Sequence, residues 1–175
     1  LTFFYNDMRN YILPRNTGEI NFSTLLPVYQ TEGIGAKLLG FESQLEYKFL
    51  KRFSFDASLS YTYGEIKETK SPLPQIPPLK SFIEFKYTGN NYSVGINSEL
   101  ASSQERVDEF EEPTAGYIIF GAAGQYTFSG RNSIHNFSLN LENITNRIYR
   151  NHLSRIKSVL PEPGVGLRLI YKFLF

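Results

Sequence analysis

The sequence predicts an all-β fold of about eight antiparallel strands, and three observations lead to this prediction. Of the 175 residues, 15 are Phe and 12 are Tyr, and aromatic residues favour strands. Apolar and polar residues alternate with a period of two along most of the chain, and no comparable helical period is present. The connections between the alternating segments alternate between long and short.

The composition excludes several classes of function for these residues. The absence of cysteine rules out disulfide frameworks, thiolate metal sites and cysteine nucleophiles. A net charge of +1 offers no broad basic face, so no nucleic-acid partner is expected. No stretch reaches the about 20 apolar residues of a membrane-spanning helix. The slightly negative mean hydropathy would classify the chain as soluble, but it averages an apolar strand face with a polar one.

The first four predicted strands are 1–13, 27–49, 53–63 and 79–87. The first is assigned from the spacing of turns, because its Phe, Tyr and Met residues do not share one face. In the next three, apolar side chains occupy every second position over 39–49, apart from Ser43, and over 53–63 and 83–87, with polar or small residues between them. Most of the predicted strands are close to the 9–11 residues with which a tilted strand crosses a bilayer.

The last four predicted strands are 92–101, 117–128, 136–146 and 164–175. Each alternates in the same way, with small, hydroxyl or charged side chains on the second face. In the final strand only Ile170 and Leu174 interrupt the polar positions.

The lengths of the connections carry further information. Three are short and two of these contain the Gly and Asn that tight turns favour: 50–52, 88–91 and 129–135. Four are long and carry most of the prolines and charge runs: about 14–26, 64–78, 102–116 and 147–163. Long connections at one end of a sheet and short turns at the other are typical of an outer-membrane barrel.

Alternation alone leaves two interpretations open. A soluble antiparallel sandwich, or a lipid-binding barrel with its apolar face inward, alternates in the same way. Three observations favour a transmembrane barrel: mixed hydroxyl and charged side chains on the polar faces, aromatics at strand ends, and alternating connection lengths.

Several segments resemble, in order, the C-terminal part of the β-barrel of TonB-dependent outer-membrane receptors. The first two are similar to the strands "FyNDirdyI" and "A-x-x-x-G-[VF]-E" of that family, and the later ones to "sYty…lPxiPp", "tpGY", "NLtNkxY" and its closing segment. The segments are 4–12, 36–42, 59–63 with 73–78, 113–117, 143–149 and 161–175.

This resemblance implies that residues 1–175 are part of a barrel of about 22 strands, of which they form the last eight. The earlier strands, the N-terminal plug and the segment that engages the TonB energy-transducing complex are then expected to lie before residue 1. It also implies a periplasmic C-terminus in the bacterial outer membrane, with the long connections outside. Lipid, lipopolysaccharide and the barrel-assembly machinery become expected partners.

The function implied by the resemblance is energy-coupled uptake of a siderophore, haem, a metal or a cobalamin-type nutrient, with no covalent chemistry and no cofactor. The alternative is a small outer-membrane barrel complete in itself, similar to a porin or an adhesin. We expect no catalytic residues and no metal site, because the two histidines lack ligand spacing.

Two charged segments in the long connections are candidate contacts for a small-molecule or metal-chelate substrate. The alternatives are solvated loops, cation bridges to lipopolysaccharide, or pairing between the two segments. The acidic candidates are Glu105, Asp108, Glu109, Glu111 and Glu112, and the basic or imidazole candidates are Arg150, His152, Arg155 and Lys157.

The end of the chain carries a second candidate signal. Apolar residues at every second position resemble the terminal strand that the barrel-assembly machinery recognises, although a lipid-facing strand alone would look the same. These residues are Leu167, Leu169, Tyr171, Phe173 and Phe175.

Overall fold

The computed structural model describes residues 1–175 as one antiparallel sheet in which eight strands follow each other in chain order. The chain has no helix long and apolar enough to cross a membrane. The strands are β1 (Thr2–Asn21), β2 (Leu26–Phe49), β3 (Phe53–Ile66), β4 (Lys80–Thr88), β5 (Tyr92–Ala101), β6 (Tyr117–Ser129), β7 (Ile134–Glu142) and β8 (Gly166–Leu174).

The strand register brings the apolar residues of successive strands onto one side of the sheet. Directly paired residues of an antiparallel sheet point to the same face. One continuous row of paired residues from β2 to β8 reads Tyr47, Phe55, Phe85, Ile96, Ala122, Leu141 and Leu167. We call this side the apolar face.

The adjacent row points to the other side of the sheet, which we call the polar face. Along the same strands it reads Lys48, Ser54, Lys86, Gly95, Ala123, Asn140 and Arg168. Two opposite faces of such different polarity are what a wall between lipid and a wet interior requires.

Little of the molecule is buried, and the main apolar cluster lies away from the middle of the sheet. Only 17 of 175 residues are buried, while the apolar face leaves large side chains such as Leu169 exposed. The cluster consists of Leu13, Ala36, Ile66, Leu73 and Ile76. Two of its members come from the connection between β3 and β4, so this connection folds against the sheet at the end of β3, beside the interior of β1 and β2.

The order of the strands places alternate connections at opposite ends. The turns 50–52, 89–91 and 130–133 lie at one end, which we call the short-turn end. The connections 67–79, 102–116 and 143–165 lie at the other, together with the tip of the β1–β2 hairpin; this is the long-connection end. The predicted alternation of connection lengths is confirmed for these six connections.

Several predicted boundaries differ from the structure: β3 ends at Ile66 and not at 63, and two larger differences have identifiable causes. The connection predicted over 14–26 is mostly strand, because β1 and β2 continue as a long hairpin whose turn covers only residues 22–25. Leu25 has a φ of 57° there, and its N–H donates to the carbonyl of Asn21. The second error is at β7, which ends at Glu142 and not at 146, because a turn with left-handed asparagines follows at once.

Candidate functional site

The acidic and basic segments meet at the long-connection end. They belong to the β5–β6 and β7–β8 connections, which the strand order places side by side. Glu111 Oε1 lies 3.1 Å from Lys157 Nζ and 3.1 Å from His152 Nε2. The pairing between the segments that the sequence left as one alternative is therefore present between Glu111 and Lys157, with His152 beside them.

The same carboxylate also binds a third connection. Glu111 Oε2 accepts a 3.0 Å hydrogen bond from the backbone N–H of Gln75, in the β3–β4 connection. Gln75 has a φ of 57°. Only 11% of the Glu111 side chain is exposed, and hydrogen bonds to a shielded carboxylate are stronger than neutral ones. One side chain thus joins three connections.

His152 is almost completely buried beside this carboxylate. Its Nδ1 lies 2.9 Å from Thr114 Oγ1 and 3.3 Å from Lys157 Nζ. Because an ammonium group only donates, Nδ1 accepts from Lys157, so the ring is neutral and carries its proton on Nε2. That nitrogen is shielded from solvent and makes no well-aligned hydrogen bond, although Glu111 is near.

The environment of His152 favours the neutral ring. Burial lowers the pKa of the imidazole, and the positive charge of Lys157 lowers it further. The Glu111 carboxylate raises the pKa but does not outweigh these two effects. The cluster therefore holds one negative and one positive charge around a neutral imidazole.

A cavity of about 390 Å³ opens next to the cluster. It has ionic groups of both signs, so it offers ion pairing and hydrogen bonding to a polar ligand. Six of the nine predicted contact residues line it: Asp108, Glu111, Glu112, His152, Arg155 and Lys157.

The other three predicted contact residues do not line this cavity. Glu105 and Glu109 are exposed. Arg150 is exposed too, and its Nε donates a 2.7 Å hydrogen bond to the carbonyl of Lys157. Arg150 therefore shapes the basic segment without reaching the cavity wall.

Aromatic residues complete the cavity, and no pattern in the sequence singled them out as contact residues. Tyr11 and Tyr29 come from the β1–β2 hairpin, and Phe110 comes from within the acidic segment. Both tyrosines lie within predicted strands, 1–13 and 27–49, but a strand prediction does not show which distant connections fold against that strand. A bulge between Met8 and Tyr11 shifts the register of β1 and explains why its aromatics share no simple face.

The residues of the C-terminal pattern lie on the apolar face. Leu167, Leu169, Tyr171 and Phe173 pair with apolar-face positions of β7. Phe175 follows the last strand residue and is fully exposed, with its ring centroid 5.6 Å from that of Phe173.

With an apolar outer face, a polar inner face and long connections at one end, the chain has the features of a transmembrane barrel wall. Residues 1–146 match the family described as TonB dependent receptor-like, beta-barrel. The chain belongs to this family of outer-membrane barrels. No curated protein matches the chain in sequence.

Solved structures support the same fold. The copper transporter OprC is similar with a TM-score of 0.81 and 22% identity, over 98% of this chain and 27% of that one. The ferric citrate transporter FecA is similar with a TM-score of 0.68 and 22% identity, over 82% of this chain and 25% of that one. The siderophore receptor PirA from Acinetobacter baumannii has a TM-score of 0.65 and 19% identity, over 98% of this chain and 28% of that one. The chain thus spans about a quarter of the length of these structures.

Proposed function

We propose that the chain forms the last eight strands of a TonB-dependent receptor that takes up a siderophore, haem, a metal or a cobalamin-type nutrient. Its family and the similar transporters and receptors support this proposal. The observation that carries it is the cavity beside Glu111, to which four connections contribute at the long-connection end.

The chemistry of the cavity suits a ligand with polar groups on an apolar or aromatic body. Arg155 has no ion-pair partner and is available to a ligand carboxylate or phenolate. The rings of Tyr11, Tyr29 and Phe110 offer stacking surfaces. In this proposal the barrel binds and orients the ligand and carries out no covalent step.

The proposal includes an orientation and a set of partners. The C-terminus lies in the periplasm and the long connections lie outside the cell, where they meet substrate and lipopolysaccharide. The TonB complex acts through an N-terminal region before residue 1, and the barrel-assembly machinery recognises β8. The self-contained small barrel is less well supported, because β1 and β8 are the two unpaired edges of an open sheet.

The test uses cells that lack the receptor gene and are grown on a single iron, haem, copper or cobalamin source. We expect the full-length receptor to restore growth on one source and Arg155→Ala to weaken uptake at least about tenfold, the loss of a charge-assisted contact. Arg147→Ala is the matched control, since Arg147 is exposed and does not line the cavity. Equal uptake by the two variants would contradict the assignment of the cavity.

A further inference from the structure

An open groove of about 800 Å³ crosses the apolar face over strands β5 to β8. Its floor is Gly124, where a Cβ atom would have no neighbour within 4 Å. The side chains around this gap come from two rows of paired residues. One row is Val94, Gly124, Leu139 and Leu169, and the other is Tyr92, Tyr126, Phe137 and Tyr171.

The depth of the groove in the membrane follows from the strand geometry. Gly124 precedes Ser129, the last residue of β6, by five positions. At a rise of about 3.3 Å per residue and a tilt of about 40°, Gly124 lies roughly 13 Å above the short-turn end. The apolar band of an outer-membrane barrel is about 25 Å tall, so the groove reaches the middle of the bilayer.

The turn below the groove offers a charge for a lipid headgroup. Arg131 lies in the turn between β6 and β7, is exposed, and forms neither a hydrogen bond nor an ion pair with the protein. A guanidinium group at the membrane surface pairs well with a phosphate. The distance from Arg131 to Gly124 along the membrane normal therefore matches the thickness of one lipid leaflet. The guanidinium group lies at the membrane surface, and the open space at Gly124 lies where the acyl chains of that leaflet end.

We propose that this groove binds one acyl chain of a glycerophospholipid whose phosphate pairs with Arg131. A void in the apolar wall would forfeit dispersion contacts, and a flexible chain fills it without strain. The inference depends on one part of the proposed orientation, namely that the short-turn end lies at the phospholipid leaflet of the outer membrane.

A second copy of the barrel is a less suitable occupant. Between apolar surfaces in hydrocarbon there is no hydrophobic driving force, so protein association depends on close packing and hydrogen bonds. The row at the depth of Gly124 consists of Val94, Leu139 and Leu169, which provide no hydrogen bonds, and the tyrosine hydroxyls of the groove belong to the row nearer the short-turn end. His135, the imidazole nearest the groove, is already 2.8 Å from the Tyr171 hydroxyl through Nδ1 and 3.0 Å from Ser133 Oγ through Nε2.

The experiment measures lipid retention by the purified full-length receptor. After delipidation, 1-palmitoyl-2-oleoyl phosphatidylethanolamine is added in detergent and bound molecules are counted by native mass spectrometry. We expect one molecule to be retained by the wild type, and at least about tenfold weaker retention by Gly124→Leu, whose side chain occupies the open space. Arg131→Gln should weaken retention as well. Ala57→Leu places the same side chain on the apolar face of β3, outside the groove, and should leave retention unchanged.

Equal retention by the wild type and Gly124→Leu would overturn the proposal, and so would equal losses in Gly124→Leu and Ala57→Leu. A wild-type dimer that Gly124→Leu converts to a monomer would identify a second copy as the occupant instead. Nutrient uptake by cells with the wild-type receptor tests the proposed function separately, since it does not depend on lipid retention after purification.

Discussion

At the scale of single residues, the outer cluster depends on contacts that are distant in sequence. Glu111 is 36 residues from Gln75 and 46 from Lys157, yet one carboxylate binds both. The sequence predicted the two charged segments because their residues are neighbours in the chain. It did not predict the backbone partner or the burial of His152, because both depend on how three connections fold together.

Replacing Glu111 by Gln should loosen the connections that it joins. The variant removes the negative charge opposite Lys157 and leaves a shielded ammonium group unpaired, a loss of about 1–3 kcal/mol. We expect faster amide hydrogen exchange in the β3–β4 connection, with Gln75 as the most sensitive position. Glu105→Gln, at an exposed site, should leave the exchange unchanged, and an unchanged Gln75 in Glu111→Gln would contradict the role of this carboxylate.

The buried imidazole predicts a pH dependence of the same region. Folding lowers the pKa of His152 below its ordinary value of about 6.5. Protonation therefore favours conformations of the connections in which this imidazole is exposed to solvent. The stabilisation from the neutral imidazole is complete when the pH is above the ordinary pKa of about 6.5. It is lost as the pH falls towards the lowered pKa of the folded protein and through it. A spin label at Ser158→Cys should gain mobility over this acidic range, and the gain should be absent when His152→Gln is added.

At the scale of elements, the alternation predicted β2 to β8 and the spacing of turns predicted β1, and the register in the structure explains why the alternation was informative. A strand that slips by one residue would turn its apolar set to the other face, so the pattern and the pairing determine each other. Boundaries were predicted less well, at the β1–β2 hairpin and at the end of β7. There the cause is local: a bulge hides the alternation of β1, and two asparagines with positive φ end β7 early.

Two neighbouring alanines of β6 give a matched test of the faces. Ala122 pairs with apolar-face residues, and Ala123 pairs with Gly95 and Asn140 on the polar face. A charge facing lipid near the middle of the bilayer costs about 2–4 kcal/mol. Ala122→Arg should therefore lower the free energy of unfolding of the receptor, measured in urea, by about this amount. Ala123→Arg should change that free energy much less. The reverse order would show that the faces are wrongly assigned.

At the scale of the whole molecule, the eight strands form a wall and not a closed barrel. The edges β1 and β8 are unpaired with each other, and such edges pair readily with further strands. The match over residues 1–146 establishes the family, which local patterns alone did not. That further strands lie beyond the two edges stays a prediction of the family resemblance.

The C-terminal residue provides a test at this scale. If the barrel-assembly machinery recognises the alternating pattern of β8, deleting Phe175 from the full-length receptor should lower its level in the outer membrane several-fold. The residue is fully exposed and its ring stacks on that of Phe173, so its loss removes one surface aromatic contact and no buried packing. Phe175→Tyr keeps an aromatic end and should assemble normally. An unchanged level of the deletion variant would contradict a role in assembly.

The most direct test of the account is the sidedness of the two ends of the sheet in intact cells. The 175 residues contain no cysteine, so a single introduced thiol is the only label site in this part of the receptor. Ser158→Cys lies in the β7–β8 connection, and Asn90→Cys lies in the β4–β5 turn. With a membrane-impermeant maleimide, we predict labelling of Ser158→Cys in intact cells and of Asn90→Cys only after the outer membrane is opened. Labelling of both thiols in intact cells, or of Asn90→Cys alone, would contradict a transmembrane barrel wall with its long connections outside.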